Sequence, residues 1–235
     1  MKTQIHKSSI RGHADHGWLK SSHTFSFANY YNPEMMGFGA LRVINDDYIA
    51  PSRGFDTHPH KNMEIISVPI EGALSHKDTL GNEFVIQKGE VQVMSAGTGI
   101  SHSEYNDSST ETTNLLQIWV LPKEKNIKPQ YGQKFFDESE RRNRFQLIVS
   151  PEGREGSLAI NQDAFFSLVD LDEGTSEEYK FYDAQNGVYF FVVSGDVEIE
   201  GHKLTSRDGL EVWEASSVKI LPLSKAEVLV MEVPL

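Results

Sequence analysis

The chain has 235 residues, no cysteine, and 34 acidic against 22 basic side chains, for a formal net charge of -12. Without cysteine there are no disulfides, thiolate nucleophiles or thiolate ligands, so any transition-metal site must be built from His, Asp or Glu. The acidic balance disfavours direct nucleic-acid binding, and no apolar run approaches the length of a membrane span. At this length one large or two modest domains are expected, and two is the working count.

The first stretch, "MKTQIHKSSIRGHADHGW", is mixed polar and lacks the apolar centre of a secretory leader, which predicts a cytoplasmic protein. Within it His13, Asp15 and His16 can be read as a ligand cluster or as a turn whose side chains cap backbone groups; the turn is favoured. "TFSFANYYNP" alternates at its start like a half-buried strand, so Phe25, Phe27, Tyr30 and Tyr31 are assigned to core packing ahead of a substrate-pocket wall. Met35, Met36 and Phe38 carry the same two readings. "GALRVIND" then gives an apolar strand.

"FDTHPHKNMEIISVPIEG" carries His58 and His60 on either side of Pro59. Residues two apart on a strand share a face, so both imidazoles can point inward, and Pro59, lacking an N–H, suits an edge or a strand entry. A lone His-x-His is common by chance, but "SAGTGISHSEYN" repeats the device: after the Gly97–Gly99 turn, His102 and Glu104 are again two apart. Together these make a set of three His and one carboxylate. Such a set suits one divalent metal such as Fe(II), Mn, Co, Ni, Cu or Zn and leaves coordination positions for substrate or dioxygen.

Downstream, "LLQIWVL" reads as a buried strand, and residues 122–156 gather charge and three prolines, the expected junction between halves. Inside that junction "DESERRNR" is equally a short helix or a polar connector. Beyond it "YFFVV", "VEIE", "VKIL" and "EVLVMEV" continue the strand pattern. The two halves also share a glycine rhythm, 17 residues from Gly72 to Gly89 and 14 from Gly195 to Gly209, which points to duplication of one β module. The expectation is therefore all-β: two antiparallel barrels side by side, residues 1–125 and 157–235, joined by 126–156.

Superposing those glycines places Phe181, Asp183 and Gly187 at His58, His60 and Glu64, and Pro222 and Ser224 at His102 and Glu104. No metal site is expected in the second barrel. His6, His23, His76 and His202 are read as surface or hydrogen-bonded residues. Ser101 and Ser103 beside His102 lack the nucleophile elbow of a hydrolase, and the isolated "GTG" lacks the rest of a dinucleotide loop.

"HPHKNMEI" followed by "MSAGTGISHSEYN" resembles the paired metal motifs of the cupin superfamily in their pirin form, and "HGWLKSSHTFSFANYYNPEMMGFGALRVINDD" resembles the pirin N-terminal signature. The resemblance implies a bicupin whose first barrel holds one metal, commonly iron, through His58, His60, His102 and Glu104. The general cupin pattern would instead use Glu64; in the pirin form Glu64 is expected to orient a ligand imidazole. The resemblance further implies a dioxygenase that cleaves a flavonol such as quercetin with release of carbon monoxide, with Glu104 also taking the proton of the 3-hydroxyl. Two alternatives accompany it. One is a metal-responsive regulatory module that binds a protein partner, as in eukaryotic pirin, a transcription coregulator; the other is an enzyme for a different small oxygen-ligand substrate.

Overall fold

The computed structural model describes residues 1–235 as 22 strands and three single turns of 3-10 helix, an all-β chain in the bicupin arrangement. Each half pairs a seven-stranded sheet with a four-stranded one. In the first half the four-stranded sheet runs Gly54–His60, Ile100–Asn106, Ala73–Asp78, Glu83–Gln87 in spatial order, so the strand carrying Pro59 is an edge strand. The strand pairs are antiparallel except for Gln146–Pro151 with Leu158–Ile160.

Two boundaries differ from the expected ones. The Lys2–His6 strand pairs with Gly209–Trp213 and so belongs to the sheet of the second half. Within the expected junction, Gln130–Phe135 pairs with Glu90–Ser95 of the first half, while Gln146–Pro151 pairs with Phe165–Leu171 of the second. Each half thus receives a strand that the charge and proline pattern had assigned elsewhere, because edge pairing follows backbone hydrogen bonding rather than composition. "DESERRNR" forms no α-helix: Glu138–Glu140 is one 3-10 turn capped by Asp137, which accepts from Ser139 N at 2.8 Å. Arg141 then turns inward, donating to Asp170 at 2.9 Å and to Glu227 at 3.0 Å.

Strand alternation decides where the apolar mass goes. On the seven-stranded sheet of the first half, Ile44, Ile66 and Ile118 face the other half and meet Phe166, Leu229 and Met231 there, in a cluster of 25 buried residues. The interior of the second barrel holds 16 more, whereas the interior of the first holds only two clusters of five and four. The largest core is the interface between barrels. The first barrel's interior is left for polar side chains.

In the second barrel, Tyr179 lies opposite Val218, as His58 lies opposite His102, and Ile199 lies opposite Ile220, as His76 lies opposite Glu104. Sheet register therefore sets Tyr179, Phe181, Val218 and Ile220 at the positions of His58, His60, His102 and Glu104. This moves the counterparts of His58 and His60 by two residues, and those of His102 and Glu104 by four, from the glycine-based superposition, since the connecting turns differ in length. All four are apolar or aromatic and pack in or against the second barrel's core. No helix in the chain is long and apolar enough to cross a membrane.

Candidate metal centre

The site is assembled by two neighbouring strands of the four-stranded sheet. His58 and His102 stand opposite each other across the Gly54–His60 and Ile100–Asn106 pair, and His60 lies opposite Ile100. A register shift between His102 and Glu104 brings Glu104 opposite Phe55 and tightens the sheet there. Gly54 permits that closeness, because a Cβ on it would meet Glu104 O at 2.2 Å. At the turn before His102, Gly97 has φ +47 and leaves no room for a side chain: a Cβ there would lie 2.1 Å from Ile127 O.

The imidazoles of His58, His60 and His102 converge, with ring centroids 4.5 to 4.9 Å apart. One ring nitrogen from each can be chosen so that all lie within 4.8 Å of one another. His58 Nδ1–H donates to Asp56 O at 2.7 Å, which fixes the tautomer and leaves Nε2 with its lone pair free. His102 is buried, and neither of its ring nitrogens has a hydrogen-bond partner. Two buried, unpartnered ring nitrogens are expensive in a fold that gains nothing from them, and a divalent cation would satisfy one directly. The donor set fits such an ion.

Glu104 is fully buried beside His102, Oε1 lying 4.0 Å from His102 Nδ1. Gln117 donates to its Oε2 at 2.7 Å, and Ser67 approaches Oε1 at 3.4 Å. Burial first, and then the charge of Asp47, push the Glu104 carboxyl up to about 7, against the opposing hydrogen bonds from Ser67 and Gln117. Burial and neighbouring imidazoles hold His102 down to about 2, and burial with His58 nearby holds His60 down to about 4. In the absence of a cation these two rings are neutral at physiological pH, the form that ligates metal.

Glu64 does not reach any imidazole. Alternation turns it to the inter-barrel face, where its Oε2 accepts from Ser95 at 2.6 Å and from the backbone N–H of Asn161, in the second half, at 3.2 Å. His76 is one of the hydrogen-bonded histidines: it is buried, its Nε2 3.2 Å from Asp78 and its ring 5.3 Å from that of His102. His6 and His23 are also buried and hydrogen-bonded, to Tyr189 and Asn45 respectively, and His202 bonds Thr3. Asp15 caps Gly17 N at 2.8 Å, the expected turn, while His13 and His16 line the rim of the cavity described next.

A cavity of about 470 Å³ opens over His58, His60 and Glu104. Phe27, Tyr30, Phe55 and Trp119 form its aromatic walls. The aromatic stretch is therefore divided: Phe25 is core, Phe27 and Tyr30 are pocket wall, and Tyr31 is 72% exposed. Phe38 is core, Met35 packs against the core, and Met36 is exposed. Trp119 also stands edge-on to His60 at 5.1 Å. Gln117, Asn45 and Asp47 were not identified from sequence. Their signal was a polar residue within a buried apolar run, "LLQIWVL" and "LRVINDDYI", which on a strand means a polar interior.

Residues 4–120 match the family model described as Pirin, and residues 147–233 match that of the quercetinase C-terminal cupin domain. The quercetin 2,3-dioxygenase of Escherichia coli strain K12 is 47% identical over 230 residues, covering 98% of each chain. A pirin-like protein of Caulobacter vibrioides is 42% identical, covering 94% of this chain and 95% of its own. The crystal structure of the bacterial pirin YhhW from Escherichia coli in complex with nickel(II) superposes with a TM-score of 0.94 at 46% identity and covers 99% of both chains.

Proposed function

The chain belongs to the pirin family, and from that premise we propose that it is a metal-dependent dioxygenase that opens the central ring of a flavonol such as quercetin. One observation carries the reading: three imidazoles converge, of which His58 and His60 line an aromatic-walled cavity together with Glu104, while the third, His102, has both ring nitrogens buried and unpartnered. That volume falls in the range of small-molecule sites, roughly 300 to 1,000 Å³. The similarity to a quercetin 2,3-dioxygenase supports the substrate class.

His58, His60 and His102 would hold the ion, with Glu104 as the fourth ligand and Fe(II) as the first candidate among Fe, Mn, Co, Ni, Cu and Zn. When bound, it would supply Lewis acidity to the substrate oxygen and, for iron, a redox couple. The protein does the remaining work. Glu104, buried at the cavity, takes the proton of the 3-hydroxyl, and Gln117 and Ser67 keep the carboxylate aimed as it does so. Phe27 and Trp119, in edge-to-face contact at 5.3 Å, form a continuous aromatic wall against which the flat rings lie and which excludes water. Dioxygen contributes both atoms to the products, one carbon leaves as carbon monoxide, and a depside ester remains.

The test is anaerobic reconstitution of metal-free protein with each of the six ions, followed by aerated assay for quercetin loss and carbon monoxide. Stoichiometric carbon monoxide, absent in His58→Ala, is the expected result. One bound ion per chain with no consumption of any flavonol would keep the site and discard the reaction.

A further inference from the structure

Across the cavity from the imidazoles lies a polar network that the proposed reaction does not use. Ser21 Oγ donates its only proton to Asp47 Oδ1, so Ser21 can act only as an acceptor towards His23, whose Nδ1 is 3.3 Å away. The same Nδ1 lies 2.8 Å from Asn45 Oδ1, also an acceptor. With two acceptors on one side, Nδ1 carries the ring proton and Nε2 keeps its lone pair. Asp47 accepts one hydrogen bond from a protein side chain, at Oδ1, which leaves Oδ2 free. His23 and Asp47 are 4% and 2% exposed, and both line the cavity.

Burial, with Asp46 nearby, raises the Asp47 carboxyl to about 7, so above that pH the wall at this point offers two acceptors held by one serine and no competing donor. We propose that His23 Nε2 and Asp47 Oδ2 seat the vicinal hydroxyls of a flavonol's pendant ring, making the protein selective for catechol-bearing flavonols. The proposal rests on the dioxygenase reading and names the substrate features that the site recognises.

Sheet register supplies the ruler. Gln117, whose amide holds Glu104, is the cross-strand partner of Asn45, and Asn45 is the partner of His23. His23 is thus two strand spacings from Gln117, about 10 Å. A flavonol's 3-hydroxyl and the outer hydroxyl of its pendant ring are about 7 Å apart, and a hydrogen bond of about 2.8 Å at the far end extends the reach to that span. Ser21 and Asp47 are likewise cross-strand partners, two residues along on the same face. Phe27 at 5.3 Å and Tyr30 at 6.5 Å from the His23 ring form an aromatic slot around it. A ligand with a bare pendant ring would strip water from both acceptors and return no hydrogen bond, a loss of roughly tenfold to a hundredfold in affinity.

The experiment is anaerobic titration of nickel-loaded protein with quercetin and with galangin, which lacks hydroxyls on the pendant ring, followed by quenching of tryptophan fluorescence. Wild-type protein should bind quercetin at least ~10-fold tighter, and Asp47→Asn should bring the two affinities to within about twofold at unchanged nickel stoichiometry. His23→Phe, which keeps the ring stack and removes the acceptor, should do the same and guards against a fold defect in the first variant. Equal affinities in the wild type, or a preference retained by both variants, would overturn the proposal. Binding of neither flavonol would instead sink the dioxygenase reading, and this proposal with it.

Discussion

His58 and His102 face each other across paired antiparallel strands with ring centroids 4.5 Å apart, yet only His58 has a protein partner for a ring nitrogen. His102 depends on whatever occupies the centre. His58→Ala and His102→Ala should each reduce bound metal from one per chain to below about a tenth while the near-ultraviolet circular dichroism stays native, since most of the apolar core lies elsewhere. Metal analysis after dialysis, read beside the spectrum, checks this; loss of the native spectrum would make the centre a structural one.

Glu104→Gln separates ligation from proton transfer. If the carboxylate takes the 3-hydroxyl proton, kcat for quercetin should fall about a hundredfold or more with KM little changed. Steady-state kinetics at matched metal content decides it, and equal losses in kcat and in substrate affinity would leave Glu104 as a ligand alone.

The same residue sets a pH dependence in the metal-free protein. Its folded-state value of about 7 lies above the ordinary carboxyl value of 4.5, so between those limits the folded form binds more protons than the unfolded one. Stability from this group is therefore lost as pH rises from about 4.5 to 7, an effect of a few kcal/mol. His60 and His102 act in the opposite sense: their folded values of about 4 and 2 lie below 6.5, so stability is regained as pH rises towards 6.5. In chelator, the melting temperature of Glu104→Gln should fall less than that of wild type between pH 5 and 8. A parallel pair of curves would remove Glu104 from the account.

Phe166 is fully buried in the cluster between the barrels. Phe166→Ala should cost ~3–5 kcal/mol and leave unfolding as a single transition, because both barrels share that core. Urea denaturation followed by fluorescence and by far-ultraviolet dichroism tests it; two separated transitions would show that the barrels fold independently.

Glu64 makes a contrasting case. Glu64→Ala removes the acceptor for Ser95 and for Asn161 N and should lower stability by about 1–3 kcal/mol with metal stoichiometry unchanged. Metal loss in this variant would return Glu64 to the centre.

Strand content, the doubled barrel and the convergence of His58, His60 and His102 were legible in the sequence because each depends on local rules. Period-two alternation places His58 with His60, and His102 with Glu104, on one face whatever the rest of the chain does. Glu64 was misread because the motif fixes only its spacing from His60, and three residues of turn between the two strands change which face is presented. His76, Asp47 and Gln117 lie on strands that meet the ligands only through long-range pairing, and the second barrel's register was displaced by turns of unequal length. By itself the sequence determined which side chains could bind a metal, since ligand chemistry and strand period are properties of a few neighbouring residues. Only the tertiary structure decided which of them share a cavity and which polar groups face it, because that depends on how sheets pair and pack across the whole chain.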